Sequence, residues 1–206
     1  MKATTFVTFC WLVMSARSQQ QPPPPLAEYE CPRVCTCVEE QQFVKCSDEQ
    51  LQEVPHPLPA LTKHLSLPGN ELSYLSKEAF ELTRAAASFE ILGLMDNRIR
   101  NMQPGCFEGM RALTELYLLN NSLTALAADA FSGAERLQTL DLSRNVLMDV
   151  ENGAFRGLRN LSKLHLWGNK LSGLDPLVFD ELYKLKTLSL GGLQDFSSFR
   201  SFRLRH

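Results

Sequence analysis

One pattern of leucines recurs along the chain, and each copy is followed by an asparagine. The pattern is L-x-x-L-x-L-x-x-N-x-L, and it reads LTELYLLNNSL, LQTLDLSRNVL and LSKLHLWGNKL in three successive copies. The asparagines stand 24 residues apart, at Asn97, Asn121, Asn145 and Asn169. A phenylalanine column repeats in phase with them, at Phe107, Phe131, Phe155 and Phe179. Two columns with one period indicate an internal structural repeat.

Each copy predicts one turn of a solenoid. Alternation in L-x-L predicts a short strand whose leucines point inward, and one such strand cannot bury its apolar face alone. Stacked turns share a core, which predicts a curved α/β horseshoe with a parallel β-sheet on the concave side and short helical or irregular segments on the convex side. We expect the asparagines to hydrogen-bond backbone groups of the turns and the phenylalanines to fill the convex side of the core.

Fainter copies extend the array at both ends. Asn70 lies in the copy HLSLPGNEL, and Asn97 lies in the copy FEILGLMDNRI. The spacing between these two asparagines is 27 residues instead of 24, so three extra residues lie in ELTRAAASFE. A convex-side bulge or a loop would accommodate them. In the last copy Leu193 takes the asparagine position. We therefore predict five full turns and one partial turn over residues 61–190, followed by a non-repeat tail over 191–206.

The N-terminus has the features of a secretory signal. Lys2 precedes the short apolar run TFVTFCWLVMSA, and Ala16-Arg17-Ser18 fits a small-x-small cleavage site. The run is shorter than the roughly 20 apolar residues that cross a bilayer, and no other segment could cross one. We predict a signal peptide over residues 1–18, a Pro-rich leader over 19–30, secretion, and no membrane span.

Four clustered cysteines, Cys31, Cys35, Cys37 and Cys46, predict an N-terminal cap over residues 31–60. In a secreted chain such a cluster is a disulfide framework, and its C-x3-C-x-C-x8-C spacing is poor for zinc. Spacing alone leaves three pairings open. Cys106 takes the position of Ala130 and Ala154 in other repeats. It is therefore predicted to be a buried free thiol, with an intermolecular disulfide as the alternative.

The cysteine cluster followed by 24-residue repeats that end in A-F-x-G-L resembles the extracellular leucine-rich-repeat proteins of the Slit, chondroadherin and Nogo-receptor type. The resemblance covers residues 31 to about 190. It implies the pairs Cys31–Cys37 and Cys35–Cys46. It also implies a C-terminal cysteine cap, yet no cysteine follows Cys106. We interpret the tail as a truncated form or an improvised cap, whose uncapped edge predicts self-association.

Outward-pointing strand positions are free of the demands of the core and predict a partner-binding face. The residues chosen for it are Glu115, Tyr117, Leu119, Asp141, Lys163, His165 and Trp167. Tyr117, Asp141 and His165 should form one row across three strands, with Leu119 and Trp167 on either side of an exposed Ser143 in the next row. Exposed aromatic residues beside a few charges resemble a protein-binding hot spot.

Two sequons predict N-glycosylation, at Asn120 in Asn120-Asn121-Ser122 and at Asn160 in Asn160-Leu161-Ser162. Asn160 precedes a strand at a predicted surface turn. A glycan on Asn120 would crowd the rim of the concave face near Leu119.

These features predict a secreted, non-enzymatic module that binds an extracellular protein, such as a matrix component, a receptor or a plasma protein. The alternative is a regulatory or carrier subunit of a circulating enzyme or growth-factor complex. The net charge of −2 gives no reason to propose nucleic acid as a partner. Asp141 and His165 share a row, but no nucleophile with an orienting partner accompanies them, so no catalytic residue, metal or cofactor is predicted.

Overall fold

The computed structural model describes residues 31–83 and 85–191. The predicted signal peptide, the leader and the tail beyond residue 191 lie outside the described residues. Twelve short strands occur in the described part: β1 Thr36–Val38, β2 Phe43–Lys45, β3 His64–Ser66, β4 Tyr74–Leu75, β5 Ile91–Gly93, β6 Asn101–Met102, β7 Glu115–Tyr117, β8 Ala125–Leu126, β9 Thr139–Asp141, β10 Asp149–Val150, β11 Lys163–His165 and β12 Thr187–Ser189.

Eight of these strands form one sheet in the order β1-β2-β3-β5-β7-β9-β11-β12. The pairing is parallel from β2 to β12, and only β1 runs antiparallel to its neighbour β2. Each parallel neighbour comes from the next turn of the chain, because the turns stack without crossing. Two small parallel pairs, β4 with β6 and β8 with β10, lie further along the turns. The predicted leucine-rich-repeat solenoid is confirmed.

The core is a continuous stack of the leucines that the repeat pattern places inward. The middle leucines of neighbouring strands are in register, at Leu92, Leu116, Leu140 and Leu164, and none of them is exposed. Burying one leucine side chain stabilises the fold by roughly 1.5–3 kcal/mol, and here every turn contributes several. The repeat thus converts a strand that is unstable alone into one layer of a shared core.

The asparagines form a hydrogen-bonded ladder along this core. Asn121 donates to the carbonyl oxygens of Leu94, at 2.9 Å, and Leu118, at 3.0 Å, and accepts from the amide of Ile99 at 3.0 Å. Asn145 repeats the arrangement one turn later, so the Leu118 carbonyl accepts from both asparagines. The ladder that the sequence predicts therefore joins each turn to its neighbours.

The phenylalanine column stacks on the convex side of the core. The ring centroids of Phe107, Phe131 and Phe155 are 5.9 Å apart with interplanar angles of 11° and 13°, and Phe179 follows at 6.3 Å and 15°. The column breaks at the 27-residue step, where Phe80 packs edge-on against Phe89 at 78° instead. Two 3₁₀ helices, Lys77–Thr83 and Ala86–Ser88, lie within this longer step.

Helical structure in the described residues is limited to 3₁₀ turns. Besides those two, it comprises Glu39–Gln41 and Pro176–Phe179, and the latter is capped by the Asp175 side chain, which accepts from the amide of Leu177. The corresponding segments around Phe107, Phe131 and Phe155 are turns.

The N-terminal end of the core is covered by a disulfide-bonded hairpin. Its disulfides join Cys31 to Cys37 and Cys35 to Cys46, the pairing that the resemblance implies. Strand β2 of the hairpin pairs with β3, and it places Val44 and Cys46 in the core with at most 1% of their surface exposed. The hairpin thereby gives the first repeat a neighbour on its open side.

Candidate protein-binding face

The outward side chains of the eight-stranded sheet form rows that cross the strands, and we call this surface the concave face. Register aligns Tyr117 of β7 with Asp141 of β9, and Asp141 with His165 of β11. Glu115, Thr139 and Lys163 are aligned in the row beside it. The sheet therefore brings together the row of three residues that the sequence predicts. Their role in binding stays a prediction.

Tyr117 lies between two carboxylates. Its hydroxyl donates to Glu115 Oε2 at 2.5 Å on its own strand, and Asp141 stands beside it on the next strand. Burial, the hydrogen bond to Glu115 and the negative charges of Glu115 and Asp141 together raise the pKa of Tyr117 to about 12. Tyr117 is therefore a neutral aromatic group with its hydroxyl already engaged, and neither carboxylate forms an ion pair among the described residues.

Trp167 provides the largest apolar surface of the face, with 37% of its surface exposed. The guanidinium carbon of Arg144 lies 4.8 Å from the centroid of the Trp167 ring, within the range of a cation–π contact. The sequence analysis did not select Arg144, because its position lies in the turn after the strand rather than on it. Arg144 adds a fixed positive charge at the rim.

One position of the face differs from the sequence prediction. Ser143 was expected to be exposed between Leu119 and Trp167, but it is fully buried, and its hydroxyl has no hydrogen-bond partner in the described structure. Gly93, which precedes the Tyr117 position by one turn, is also buried beneath the side chain of Met95. Strand alternation alone reveals neither burial.

The residue before each ladder asparagine adopts a left-handed backbone conformation. These residues are Gly69, Asp96, Asn120, Arg144 and Gly168, with φ between 53° and 72°. Glycine, asparagine and aspartate tolerate this region best. Four of the five positions carry such a residue, so the column could have been found from the sequence. Arg144 is the exception that hides it.

The two sequon asparagines have different surroundings. Asn120 is exposed, and its Nδ2 donates to Asp96 Oδ1 at 2.6 Å across the turn. Asn160 is half-buried, and both ends of its amide are engaged: Nδ2 donates to the Glu135 carbonyl at 3.0 Å, and Oδ1 accepts from Lys184 Nζ at 2.7 Å. Asn120 is therefore the more open acceptor of the two. Glycosylation stays a prediction at both.

Cys106 is a free thiol with 2% of its surface exposed. Burial raises its pKa to about 12, so the reactive thiolate is strongly disfavoured.

Within residues 31–83 and 85–191, no cluster of histidine, cysteine or acidic side chains could hold a metal ion. No helix in the same ranges is long and apolar enough to cross a membrane.

Comparison with known proteins identifies the architecture independently of the geometry. The chain is 38% identical to trophoblast glycoprotein of Macaca fascicularis over 120 residues, which cover 58% of this chain and 28% of that protein. It is 40% identical to podocan of Mus musculus over 109 residues, which cover 52% of this chain and 17% of podocan. The chain thus spans well under a third of the length of these relatives.

Among solved structures, the crystal structure of the TLR13–ssRNA13 complex matches with a TM-score of 0.67 and 27% identity, covering 78% of this chain and 23% of the other. The family model described as leucine rich repeat matches residues 88–147 and 135–192, which together make up about half of the chain. These matches confirm the resemblance to leucine-rich-repeat proteins with an N-terminal cysteine cap. The chain belongs to the leucine rich repeat family.

Proposed function

We propose that this protein is a secreted, non-enzymatic module that binds an extracellular protein through its concave face. The observation that carries the proposal is the half-buried row of Tyr117, Asp141 and His165, with the exposed Trp167 beside it. These side chains contribute nothing to the core beneath them, which consists of leucines. Aromatic residues at the centre of a patch with mixed charges are typical of protein–protein hot spots.

The rigidity of the sheet supports this use. Each strand of the face is fixed by buried leucines on its inner side and by the asparagine ladder at its end. Side chains on such a scaffold lose little backbone freedom when a partner binds, so more of the contact energy appears as affinity. Tyr117 is already oriented by Glu115, and Trp167 by Arg144.

Two observations favour binding over catalysis. The family match extends over about half of the chain, and leucine-rich repeats are stacked scaffolds rather than enclosed active sites. In the described rows of the face, His165 and Asp141 have no serine, cysteine or threonine nucleophile held by an orienting partner. Secretion is supported by the two disulfides, which form in oxidising compartments.

The test combines capture of a partner with a pair of matched variants. The secreted chain is used as bait in matrix extract and in plasma, and affinity for the captured protein is measured for Tyr117→Ala/Trp167→Ala. The control is Tyr74→Ala/Leu177→Ala, which removes two residues that are 51% and 58% exposed outside the concave face. We expect the concave variant to lose about 10-fold to 1,000-fold in affinity, and the control to bind normally.

If both double variants bind the captured protein as tightly as the unchanged chain, with circular dichroism and melting temperature also unchanged, the binding site lies outside the concave face. Stoichiometric recovery of one plasma enzyme or growth factor would instead support the carrier-subunit alternative. The two outcomes concern different parts of the proposal, the face and the partner, and are read separately.

Self-association through the C-terminal edge remains a second, independent prediction. Leu188 and Leu190 of the last described turn are only half-buried, whereas the equivalent Leu164 and Leu166 are fully buried. Sedimentation velocity over a concentration series tests it. Leu190→Lys should weaken any dimer, and a chain that stays monomeric at all concentrations contradicts the prediction.

A further inference from the structure

We propose that the loops leading into β9, β11 and β12 form a binding site for a sulfated polysaccharide. We call residues 135–139, 159–163 and 183–187 the descending edge, because each segment brings the chain from the convex side back to a strand. This site adjoins the concave face and shares Thr139 and Lys163 with the row of Glu115, Thr139 and Lys163 described above. It involves a different class of ligand.

The three segments are stacked directly on one another. The Gln138 carbonyl accepts from the amides of Ser162 and Lys163, and the Ser162 carbonyl accepts from those of Lys186 and Thr187. Side chains at equivalent positions of neighbouring turns therefore stand next to each other, about one strand spacing apart. Contacts between the turns confirm this: Lys184 Nζ donates to Asn160 Oδ1 at 2.7 Å.

Charge on this edge is concentrated in one sign. The three segments contain five basic residues and a single acidic one, Glu135, in a chain whose formal charge is −2. All five basic side chains are exposed: Arg136, Arg159, Lys163, Lys184 and Lys186. Packing these charges on adjacent turns costs repulsion and gives the core nothing in return.

The basic side chains are also free of acidic partners. Ion pairs in the described residues engage other cations, such as Arg156 with Asp129 at 3.1 Å and Lys63 with Glu90 at 2.9 Å. Within the same residues, only Lys184 of the five makes a hydrogen bond, and its acceptor is the neutral amide of Asn160. An incoming anion would therefore not have to displace an internal ion pair.

A groove on this edge supplies the other contacts that a sugar needs. It is lined by Gln138, Asn160, Ser162, Tyr183, Lys184 and Lys186, with Leu185 at its floor. The Gln138 amide can hydrogen-bond sugar hydroxyl groups. Asn160 and Ser162 already donate to the carbonyls of Glu135 and Gln138, so they offer a sugar only their remaining hydrogen-bonding capacity. The Tyr183 ring, 66% exposed, offers a flat surface on which the apolar face of a sugar ring can stack.

The combination distinguishes a polysaccharide from an acidic peptide. A linear sugar chain with sulfate groups at intervals can meet cations on successive turns while its rings contact Tyr183 and the neutral lining. A carboxylate-rich peptide could reach the same cations and hydrogen-bond the lining, but it carries no sugar ring to stack on Tyr183. Planar guanidinium groups on Arg136 and Arg159 also suit the oxygen fork of a sulfate. We therefore assign the edge to a sulfated glycan rather than to a polyanion in general.

Affinity for a heparin oligosaccharide, measured by fluorescence anisotropy across a salt series, tests the proposal. Lys184→Ala/Lys186→Ala removes two charges from the edge. Arg100→Ala/Lys170→Ala removes the same charge from exposed positions elsewhere, and Arg203→Ala/Arg205→Ala removes it from the tail. We expect the edge variant to lose about tenfold or more in affinity, because it loses two contacts to the polyanion, and each control about twofold or less.

Three further readings decide the class of ligand. The slope of log affinity against log salt should fall by about two for the edge variant, because two fewer counterions are released. Tyr183→Ala should weaken heparin binding without changing the binding of poly-L-glutamate. Asn160→Gln, which removes any glycan there without adding charge, should strengthen or leave unchanged heparin binding, because a glycan at Asn160 would occupy the groove.

The proposal is wrong if the controls lose as much affinity as the edge variant, or if only the tail variant loses it. It is also wrong if completely desulfated heparin or poly-L-glutamate binds as tightly as heparin. Because none of these changes touches Tyr117 or Trp167, failure here leaves the protein-binding proposal for the concave face standing.

Discussion

Replacing Asn145 by alanine tests the asparagine ladder at its centre. The side chain is 4% exposed and makes three good hydrogen bonds with the backbone. Its Nδ2 donates to the carbonyl oxygens of Leu118 and Leu142, each at 3.0 Å, and its Oδ1 accepts from the Leu123 amide at 3.0 Å. Alanine removes all three without altering the apolar core.

The loss of stability in Asn145→Ala depends on which backbone groups are left without any hydrogen-bond partner. The Leu118 carbonyl still accepts from Asn121, and the Leu142 carbonyl still accepts from Asn169, so each loses one bond of two. The Leu123 amide is left without its side-chain acceptor, which costs roughly 1–3 kcal/mol for a buried donor. With about 0.5–1.5 kcal/mol for each of the other two bonds, the free energy of unfolding should fall by about 3 kcal/mol.

Asn145→Asp tests the two hydrogen bonds that Nδ2 donates separately from the one that Oδ1 accepts. The carboxylate keeps the bond to the Leu123 amide, but it faces two carbonyl oxygens, so its burial should raise its pKa above that of the unfolded chain. A raised folded-state pKa means that stability is present at low pH and lost as the pH rises through that value. The aspartate variant should therefore be less stable than the alanine variant at neutral pH, and should recover as the pH is lowered.

Urea unfolding followed by circular dichroism, with the disulfides kept intact, measures these differences. Asn152→Ala is the control, because that side chain is exposed and donates only to Asp175 at 3.2 Å, and it should change stability by less than about 0.5 kcal/mol. The account of the ladder fails if Asn145→Ala behaves like the control, or if the aspartate variant is no less stable than the alanine variant at pH 7.

Three other predictions concern the convex side, the buried thiol and the tyrosine. Gly133→Ala should lower the free energy of unfolding by at least about 2 kcal/mol more than Gly157→Ala does. Both glycines have positive φ, but only at Gly133 would a Cβ meet the backbone, 2.4 Å from the Phe107 carbonyl oxygen. Equal melting temperatures of the two variants would contradict this prediction. Native Cys106 should resist a disulfide reagent until the protein unfolds, and Cys106→Ala identifies its signal; rapid labelling in the native state would show that the thiol is accessible. Ultraviolet absorbance should show Tyr117 titrating near pH 12. Because its pKa is higher in the folded chain than in the unfolded chain, its contribution to stability is complete below about pH 10 and is lost as the pH rises towards 12. Tyr117→Phe should remove that part of the alkaline unfolding transition.

The repeated positions could be predicted from sequence because every turn makes the same physical demand. A leucine facing the core and an asparagine at the strand end meet nearly identical surroundings in each copy, so their period alone reveals their roles. The alignment of Tyr117, Asp141 and His165 follows from the same period, since register is fixed once the leucines stack.

Positions that depend on a particular neighbour could not be predicted in this way. Ser143 is buried although strand alternation directs it outward, and Arg144, whose backbone is left-handed, contacts Trp167 from the turn after the strand. The partner of Phe80 changed for a similar reason. The 27-residue step brings Phe89 against it, whereas a 24-residue step would have extended the stacked column.

The shared acceptors of the asparagine ladder determine how the solenoid should open. Because the carbonyls of Leu67, Leu94, Leu118 and Leu142 each accept from asparagines of two adjacent turns, no turn can leave without weakening the next one. Opening a central turn breaks two such junctions, and opening a terminal turn breaks one. Amide hydrogen exchange should therefore be slowest around β7 and β9 and become faster towards the last described turn, around β12.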